Sequence, residues 1–331
     1  MPSPSLLLSL GSALSAFSAT AFAQTPPGYT LEDSYQGSEF LNGFDFFQGP
    51  APSNGFATYL SREAAAIQRV TKMVGSDNYL GADYTTPLLA RGTIGRGTVR
   101  VETKKSYNKG LFIIDIKHMP GGICGTWPSF WSLGSGTPPM NGEIDIVGNM
   151  NIANVNKFAL HTDTACSVSS SDGNSGVQGS TNCAADSASG VLGCDVSSVQ
   201  ANTYGTGFNA NGGGVYAMEW TSDSIKMWFF PRGGIPASIL SESPDPATFG
   251  TPSANFQGAC NIDQKFIDHR FIFDLNFCGD GVGSAGAAYD RSGCPRYAGI
   301  SAGESCKKFI AENPSALRNA YWQISYFKTF K

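Results

Sequence analysis

The chain has 331 residues, a formal net charge of −4 and only 15% charged residues, with 40 glycines and 12% aromatics. This mild acidity leaves no electrostatic footprint for nucleic acid or an anionic membrane, so neither is expected as a partner. The glycine-rich, charge-poor composition argues against a helical bundle and fits a large sheet domain with many turns.

Leu6–Leu10 form an apolar run, followed by small residues that end at Ala21-Phe22-Ala23. That ending predicts a secretion signal over 1–23 with Gln24 as the mature start, although no Lys or Arg precedes the run. The run is short and interrupted by Ser and Gly, against a membrane anchor. Residues 24–331 are expected to form a single domain, exported to the exterior or the cell wall.

Helical patterns are few: Glu63–Lys72 and Glu304–Glu312, the second stopped by Asn313-Pro314. Period-two alternation predicts strands over Val99–Lys105, Leu111–Lys117, Phe158–His161, Val215–Trp220, Ile225–Phe230, Arg270–Asn276 and Tyr321–Phe327. Thr221–Ser224 reads as the turn of a hairpin, and Ser167–Asn211 as a long polar connection. Strands with one apolar and one polar face suit a two-sheet sandwich. The cysteines at 124, 166, 183, 194, 260, 278, 294 and 306 are even in number, as a disulfide framework requires, and permit 105 pairings. No CxxC or paired histidine suggests a metal, so no metal or cofactor is expected; the histidines are His118, His161 and His269.

The segment richest in chemistry is Asn141-Gly-Glu-Ile-Asp-Ile-Val-Gly-Asn-Met-Asn151. On a strand, Glu143 and Asp145 share one face while Ile144 and Ile146 share the other. Like charges held together disfavour ionisation, so such a pair is either a solvated strand face or a working site. Trp127 and Trp131 lie just upstream, in Thr126-Trp-Pro-Ser-Phe-Trp-Ser-Leu-Gly134. Indole faces stack on sugar rings, though core packing is the plainer role and one of the two is expected to be partly core. His161 follows on a short strand, within reach of a carboxylate or a sugar hydroxyl.

G-E-I-D-I-V at 142–147, preceded by W-P-S-F-W and followed by L-H-T, resembles glycoside hydrolase family 16, in its fungal laminarinase-like group. The likeness continues through Asn42–Phe47, Gly207–Trp220, Trp228–Arg232 and Phe277–Asp280, and so spans nearly the whole expected domain. It implies an all-β, concanavalin A-like jelly-roll of two curved antiparallel sheets with a concave glucan cleft. It also implies cleavage or transfer of β-1,3 or mixed β-1,3/1,4-glucan with retention of configuration; independently of it, a monomer is the default expectation. In the family motif E-x-D-x-x-E a bulge returns the second Glu to the face of the first. Carried over, Glu143 matches the nucleophile, Asp145 the assisting carboxylate and His161 the cleft histidine, with Trp127 and Trp131 as sugar contacts. The acid/base position falls on Gly148; without a bulge it falls on Val147, and neither is acidic. Thr137-Pro138-Pro139 and Gly281 stand where the family often carries stacking aromatics. Asp163, then Glu219, are the nearest substitutes for the missing acid. Three activities follow: a slow or altered endo-β-1,3(4)-glucanase, a glucan-binding lectin, or a cell-wall transglycosylase.

Overall fold

The computed structural model describes Met1 and residues 28–331, apart from 53, 91, 93, 170–172, 187–190 and 283–287. Beyond Met1, the expected leader at 1–23 lies outside the described residues. Two eight-stranded antiparallel sheets pack face to face. The first runs, in spatial order, Val177–Gln178, Cys194–Ser197, Lys157–His161, Glu143–Gly148, Thr126–Leu133, Arg270–Phe277, Arg100–Thr103 and Phe44–Phe46. The second runs Ala254–Phe256, Ile225–Pro231, Gly214–Trp220, Gly110–His118, Tyr321–Phe330, Asp77–Gly81 and Thr71–Val74, with Leu31–Gln36 also paired to Tyr321–Phe330. This is the expected jelly-roll architecture.

The alternation read from the sequence places the core. Phe130, Ile144, Ile146, Phe158, Phe271 and Phe273 project from the first sheet onto Phe112, Ile114, Tyr216, Met218, Ile324 and Phe327 of the second. Burying such rings is worth about 1.5–3 kcal/mol each, and stacked pairs such as Phe130 with Phe273, at 4.4 Å, add to it. The polar positions of the first sheet are left facing outward, and they form the floor of a cleft.

Three sequence readings need correction. The pattern at Glu63–Lys72 is helical only over Arg62–Ile67. Arg69 turns into the left-handed region (φ 57°), and Thr71–Val74 then pairs with Asp77–Gly81 across a turn at Gly75 (φ 61°). β-Branched Val70, Thr71 and Val74 favour that hairpin over a further helical turn. The strand Gly110–His118 is buried on both faces, because Ile239 and Phe249 cover Leu111, Ile113 and Val215. The connection 167–211 is not mere loop: Cys194–Ser197 extends the first sheet beside Lys157–His161.

All eight cysteines are paired: Cys124–Cys294, Cys166–Cys260, Cys183–Cys194 and Cys278–Cys306. Two of these brace the segment that follows His161, and two tie the start of the Thr126–Leu133 strand and the end of the Arg270–Phe277 strand to the C-terminal helices. No helix among the described residues is long and apolar enough to cross a membrane.

The C-terminal helix Ala302–Glu312 begins at a Ser301/Glu304 capping box, as the S-x-x-E spacing dictates. Its other end is held by Arg96. This fully buried guanidinium donates to the carbonyls of Ile310 and Ala311, at 2.6 and 3.0 Å, and lies 3.5 Å from Asp83. Arg96→Ala leaves those carbonyls and the Asp83 carboxylate without their cation. The expected loss is about 3–5 kcal/mol, read as a lower denaturant midpoint with unchanged slope.

Candidate active site

The strand Glu143–Gly148 lies between Thr126–Leu133 and Lys157–His161. Glu143 and Asp145 point to the cleft, and Ile144, Ile146 and Val147 to the core. Against the tryptophan strand the register slips once: Trp131 pairs with Asp145, but Phe130 pairs with Val147 and Ser129 with Gly148. One extra residue is thus inserted, a β-bulge, and position 148 returns to the face of Glu143. Asn156 holds the bulge. Its Oδ1 accepts from Gly148 N at 2.9 Å, and its Nδ2 donates to Ile146 O at 2.8 Å. The bulge therefore does not depend on a side chain at 148. A Cβ built there meets only Ser129 Oγ at 3.7 Å and Lys157 O at 3.9 Å, both ordinary contacts, and its φ is not positive.

His161 pairs directly across from Glu143. Its Nε2 lies 3.1 Å from Asp145 Oδ2 and 4.0 Å from Glu143 Oε1. Burial alone would lower the imidazole; the hydrogen bond and charge of Asp145, with Glu143 behind it, push it up to about 9. At neutral pH His161 is therefore an imidazolium that donates to Asp145. Some 26% of the Glu143 side chain stays accessible from the cleft. Protein still surrounds it closely, and desolvation, then the charge of Asp145, push it up to about 7, against the pull of His161 and Arg100. These three groups offer donor atoms within 4.8 Å of one another, close enough for a cation. The protonated imidazole, however, presents an N–H rather than a lone pair.

The cleft is about 620 Å3, walled by Phe47, Tyr59, Trp127, Trp131 and Pro138 and floored by polar groups of the first sheet. Its carboxyls are Glu102, Glu143, Asp145 and Asp274. Gly148, Ser129, Asp274 and Arg100 form one row across four strands; Asp145, Trp131, Ile272 and Glu102 form the next. Arg100 pairs with Glu102 at 2.7 Å and lies over both the Trp131 and Phe47 rings, at 5.0 and 5.1 Å. Asp274 accepts from Tyr59 Oη at 3.2 Å. Its Oδ1 and the Trp131 Nε1 are both buried without a hydrogen bond inside 3.5 Å, yet the indole N–H is close enough to favour the carboxylate. Burial still pushes Asp274 up to about 6, against Arg100 and Tyr59. Asp274→Asn keeps the shape but removes that charge, loosening the Tyr59–Trp131–Arg100 platform. A lower folding stability by about 1–3 kcal/mol is expected, read as a lower denaturant midpoint.

Of the residues singled out in the sequence, Glu143, Asp145, Trp127 and Trp131 line this cleft; His161 borders the two carboxyls, and Gly148 lies on their face of the strand. Trp127 is half-buried and packs against the second apolar cluster, so it is the partly core indole. The two proposed substitutes for the acid do not reach it. Asp163 is exposed and bound to Lys265 at 3.0 Å, and Glu219 lies on the other sheet, accepting from Tyr29. Asp274 is two strands from position 148, about 10 Å at the usual strand spacing. Gly281 has a local cause: a Cβ there would come within 2.7 Å of the Trp127 ring, so the indole already fills the room an aromatic would need. Arg100, Tyr59, Asp274 and Phe47 were missed from the sequence. Asp274 left a signal, an acid at a polar-face position of Phe271-Ile-Phe-Asp-Leu-Asn276.

A two-sheet jelly-roll with an acidic strand under tryptophans defines a glycan-cleft protein. Residues 44–330 match the family described as XgeA-like, catalytic GH16 domain, and the chain belongs to glycoside hydrolase family 16. It is 46% identical, over its whole length and 43% of the other, to an Aspergillus niger protein named "Probable endo-1,3(4)-beta-glucanase". It is 41% identical to the endo-1,3(4)-beta-glucanase xgeA of Emericella nidulans, over 99% of this chain and 52% of that one. The chain thus spans about half the length of these curated relatives. Among solved structures, an elongating GH family 16 beta-1,3-glucosyltransferase superposes at a TM-score of 0.86, with 44% identity over 92% of this chain and all of that one. Laminarinase 16A of Phanerochaete chrysosporium, solved with 6-O-glucosyl-laminaritriose in donor and acceptor sites, gives 0.85 with 37% identity over the same shares.

Proposed function

We propose that this chain is a secreted, monomeric β-glucan-binding member of the family that retains the covalent half of the retaining mechanism and lacks its proton donor. The single observation behind this reading is the bulge that sets Gly148 on the face of Glu143 and Asp145. In this reading β-1,3- or mixed-linked glucan lies along the cleft, stacked on Trp127 and Trp131. Glu143 attacks the anomeric carbon, and Asp145 and His161 govern its charge. A retaining enzyme needs a second carboxyl about 5–5.5 Å from the first to protonate the leaving oxygen and then deprotonate water. At 148 there is only hydrogen. A sugar alkoxide is a poor leaving group, so glycosylation by natural glucan is slow, and the ester that does form waits for water without a base. The four disulfides support a protein working outside the cell.

Binding without turnover is the second reading, and the same glycine favours it. One pair of assays separates them: reducing-sugar release from laminarin and lichenan, beside a pull-down on insoluble β-1,3-glucan. Retained binding with measurable but slow release supports the impaired enzyme; binding with no release supports the lectin. Release at ordinary glucanase rates would refute both.

A further inference from the structure

We propose that the space above Gly148 is a binding site for a small carboxylic acid or carboxylate of one or two carbons, which serves there as a diffusible acid and base. The proposal rests on the reading of Glu143 as nucleophile and goes beyond it by making turnover depend on a small molecule from solution.

Three observations carry it. First, the backbone that would present a carboxyl is intact. Asn156 fixes the bulge from both sides of Val147, and position 148 faces the cleft. Second, the room is real. A Cβ at 148 meets nothing closer than 3.7 Å, whereas a Cβ at Gly134 or Gly142, at the other end of the same strand pair, would come within 2.1 and 2.4 Å of its neighbours. Ser129, paired across from Gly148, lines the open cleft, so the space beyond that Cβ admits a molecule the size of formate or acetate. Third, a polar contact borders the place: Ser129 Oγ, half-buried and paired across from Gly148, can donate to an anion.

Charge decides when the site opens. In the free protein, Glu143 and Asp145 repel an anion, and the His161 imidazolium, with Arg100 farther along the cleft, offsets them only in part. Once Glu143 is esterified by a glycosyl group its charge is gone. Asp145 and His161 then neutralise each other, and an anion beside them meets little repulsion. The covalent intermediate is therefore the species that takes the carboxylate.

The chemistry balances in both half-reactions. In glycosylation the acid form donates its proton to the glycosidic oxygen. The C1–O bond breaks as the Glu143 carboxylate forms its own bond to C1. In deglycosylation the carboxylate accepts a proton from water as the water oxygen attacks C1. The C1–Oε bond then breaks and returns the Glu143 carboxylate. Azide, of similar size, uses the same room differently. A terminal nitrogen attacks C1 directly, needs no proton transfer, and leaves a β-glycosyl azide of retained configuration.

The test uses the whole chain with 2,4-dinitrophenyl β-laminaribioside, whose leaving group needs no proton. Dinitrophenolate release is followed in formate, acetate or azide, at ionic strength fixed with sodium chloride. The expected result is a stoichiometric burst without added anion, then a steady rate that rises about tenfold or more and saturates with formate or azide. Azide should also give β-laminaribiosyl azide. Gly148→Glu, which fills the room with its own carboxyl, should lose this dependence and form no azide product. A burst followed by a steady rate indifferent to every anion would overturn this proposal alone. So would acceleration that is linear in anion and equal in Gly148→Glu, the mark of capture from bulk solution. Absence of any burst or turnover would remove the nucleophile reading, and the anion site with it.

Discussion

If position 148 is the vacant acid/base place, Gly148→Glu is expected to raise laminarin hydrolysis by about 10²–10⁴-fold, the usual worth of a positioned general acid. The substitution is sterically permitted: residue 148 has no left-handed φ, the bulge is pinned by Asn156, and the new Cβ has ordinary contacts with Ser129 and Lys157. The new carboxyl would stand on the face of Glu143 and Asp145, and a third acid there carries a raised affinity for its proton because two carboxylates already crowd the site. A raised affinity is what a donor needs. The gain should depend on the leaving group: large for laminarin, small for the release of dinitrophenolate, and large again for clearing the glycosyl ester. Reducing-sugar assays on the two proteins side by side measure it. No gain would mean that the cleft has drifted in more than one residue.

On the proposed reading of Glu143 as nucleophile, Glu143→Gln is expected to abolish the covalent chemistry. Gln is nearly isosteric and keeps the hydrogen-bonding positions, but it cannot carry the negative charge that attacks C1. Burst release from dinitrophenyl laminaribioside is expected to vanish, while binding to insoluble β-1,3-glucan persists. The unaltered chain should show a matching pH dependence. Glu143 sits near 7, raised by desolvation and Asp145, and only its ionised form is a nucleophile. The initial rate with the aryl substrate should therefore climb from pH 5 through a midpoint near 7 and level off at about 8. A complete retaining enzyme adds a falling limb as its acid loses the proton. Here no such limb is expected until His161 deprotonates near 9 and Asp145 loses its partner. A bell centred near pH 6 would point to a working acid elsewhere in the cleft.

Much of this was legible in the residues because two periods suffice. Alternation in Arg270–Asn276 and Tyr321–Phe327 marks strands whose odd and even positions must part, and the pair Glu143/Asp145 must share a face. The bulge is different. Whether 147 or 148 faces the cleft is set by the pairing with Ser129 and Phe130, a contact between strands that no local pattern encodes. Arg100 and Tyr59 were invisible for the same reason. They come from strands distant in sequence and meet Trp131 and Asp274 only through the registers of neighbouring strands. The helix read too long at Glu63–Lys72 failed at Arg69, where a left-handed residue ends it and tertiary pairing takes over. Period-two continuation of the strand past His161 would put Asp163 on the face of His161. That strand ends at His161, and Lys265 draws the carboxylate away.

Intact-mass spectrometry after mixing with 2,4-dinitrophenyl β-laminaribioside tests the lone attacking carboxylate most directly. The expected spectrum gains one laminaribiosyl unit, stable over minutes, and peptide mapping places it on Glu143. A label-free protein that nonetheless releases dinitrophenolate turnover after turnover would contradict it, as would a label on any other residue.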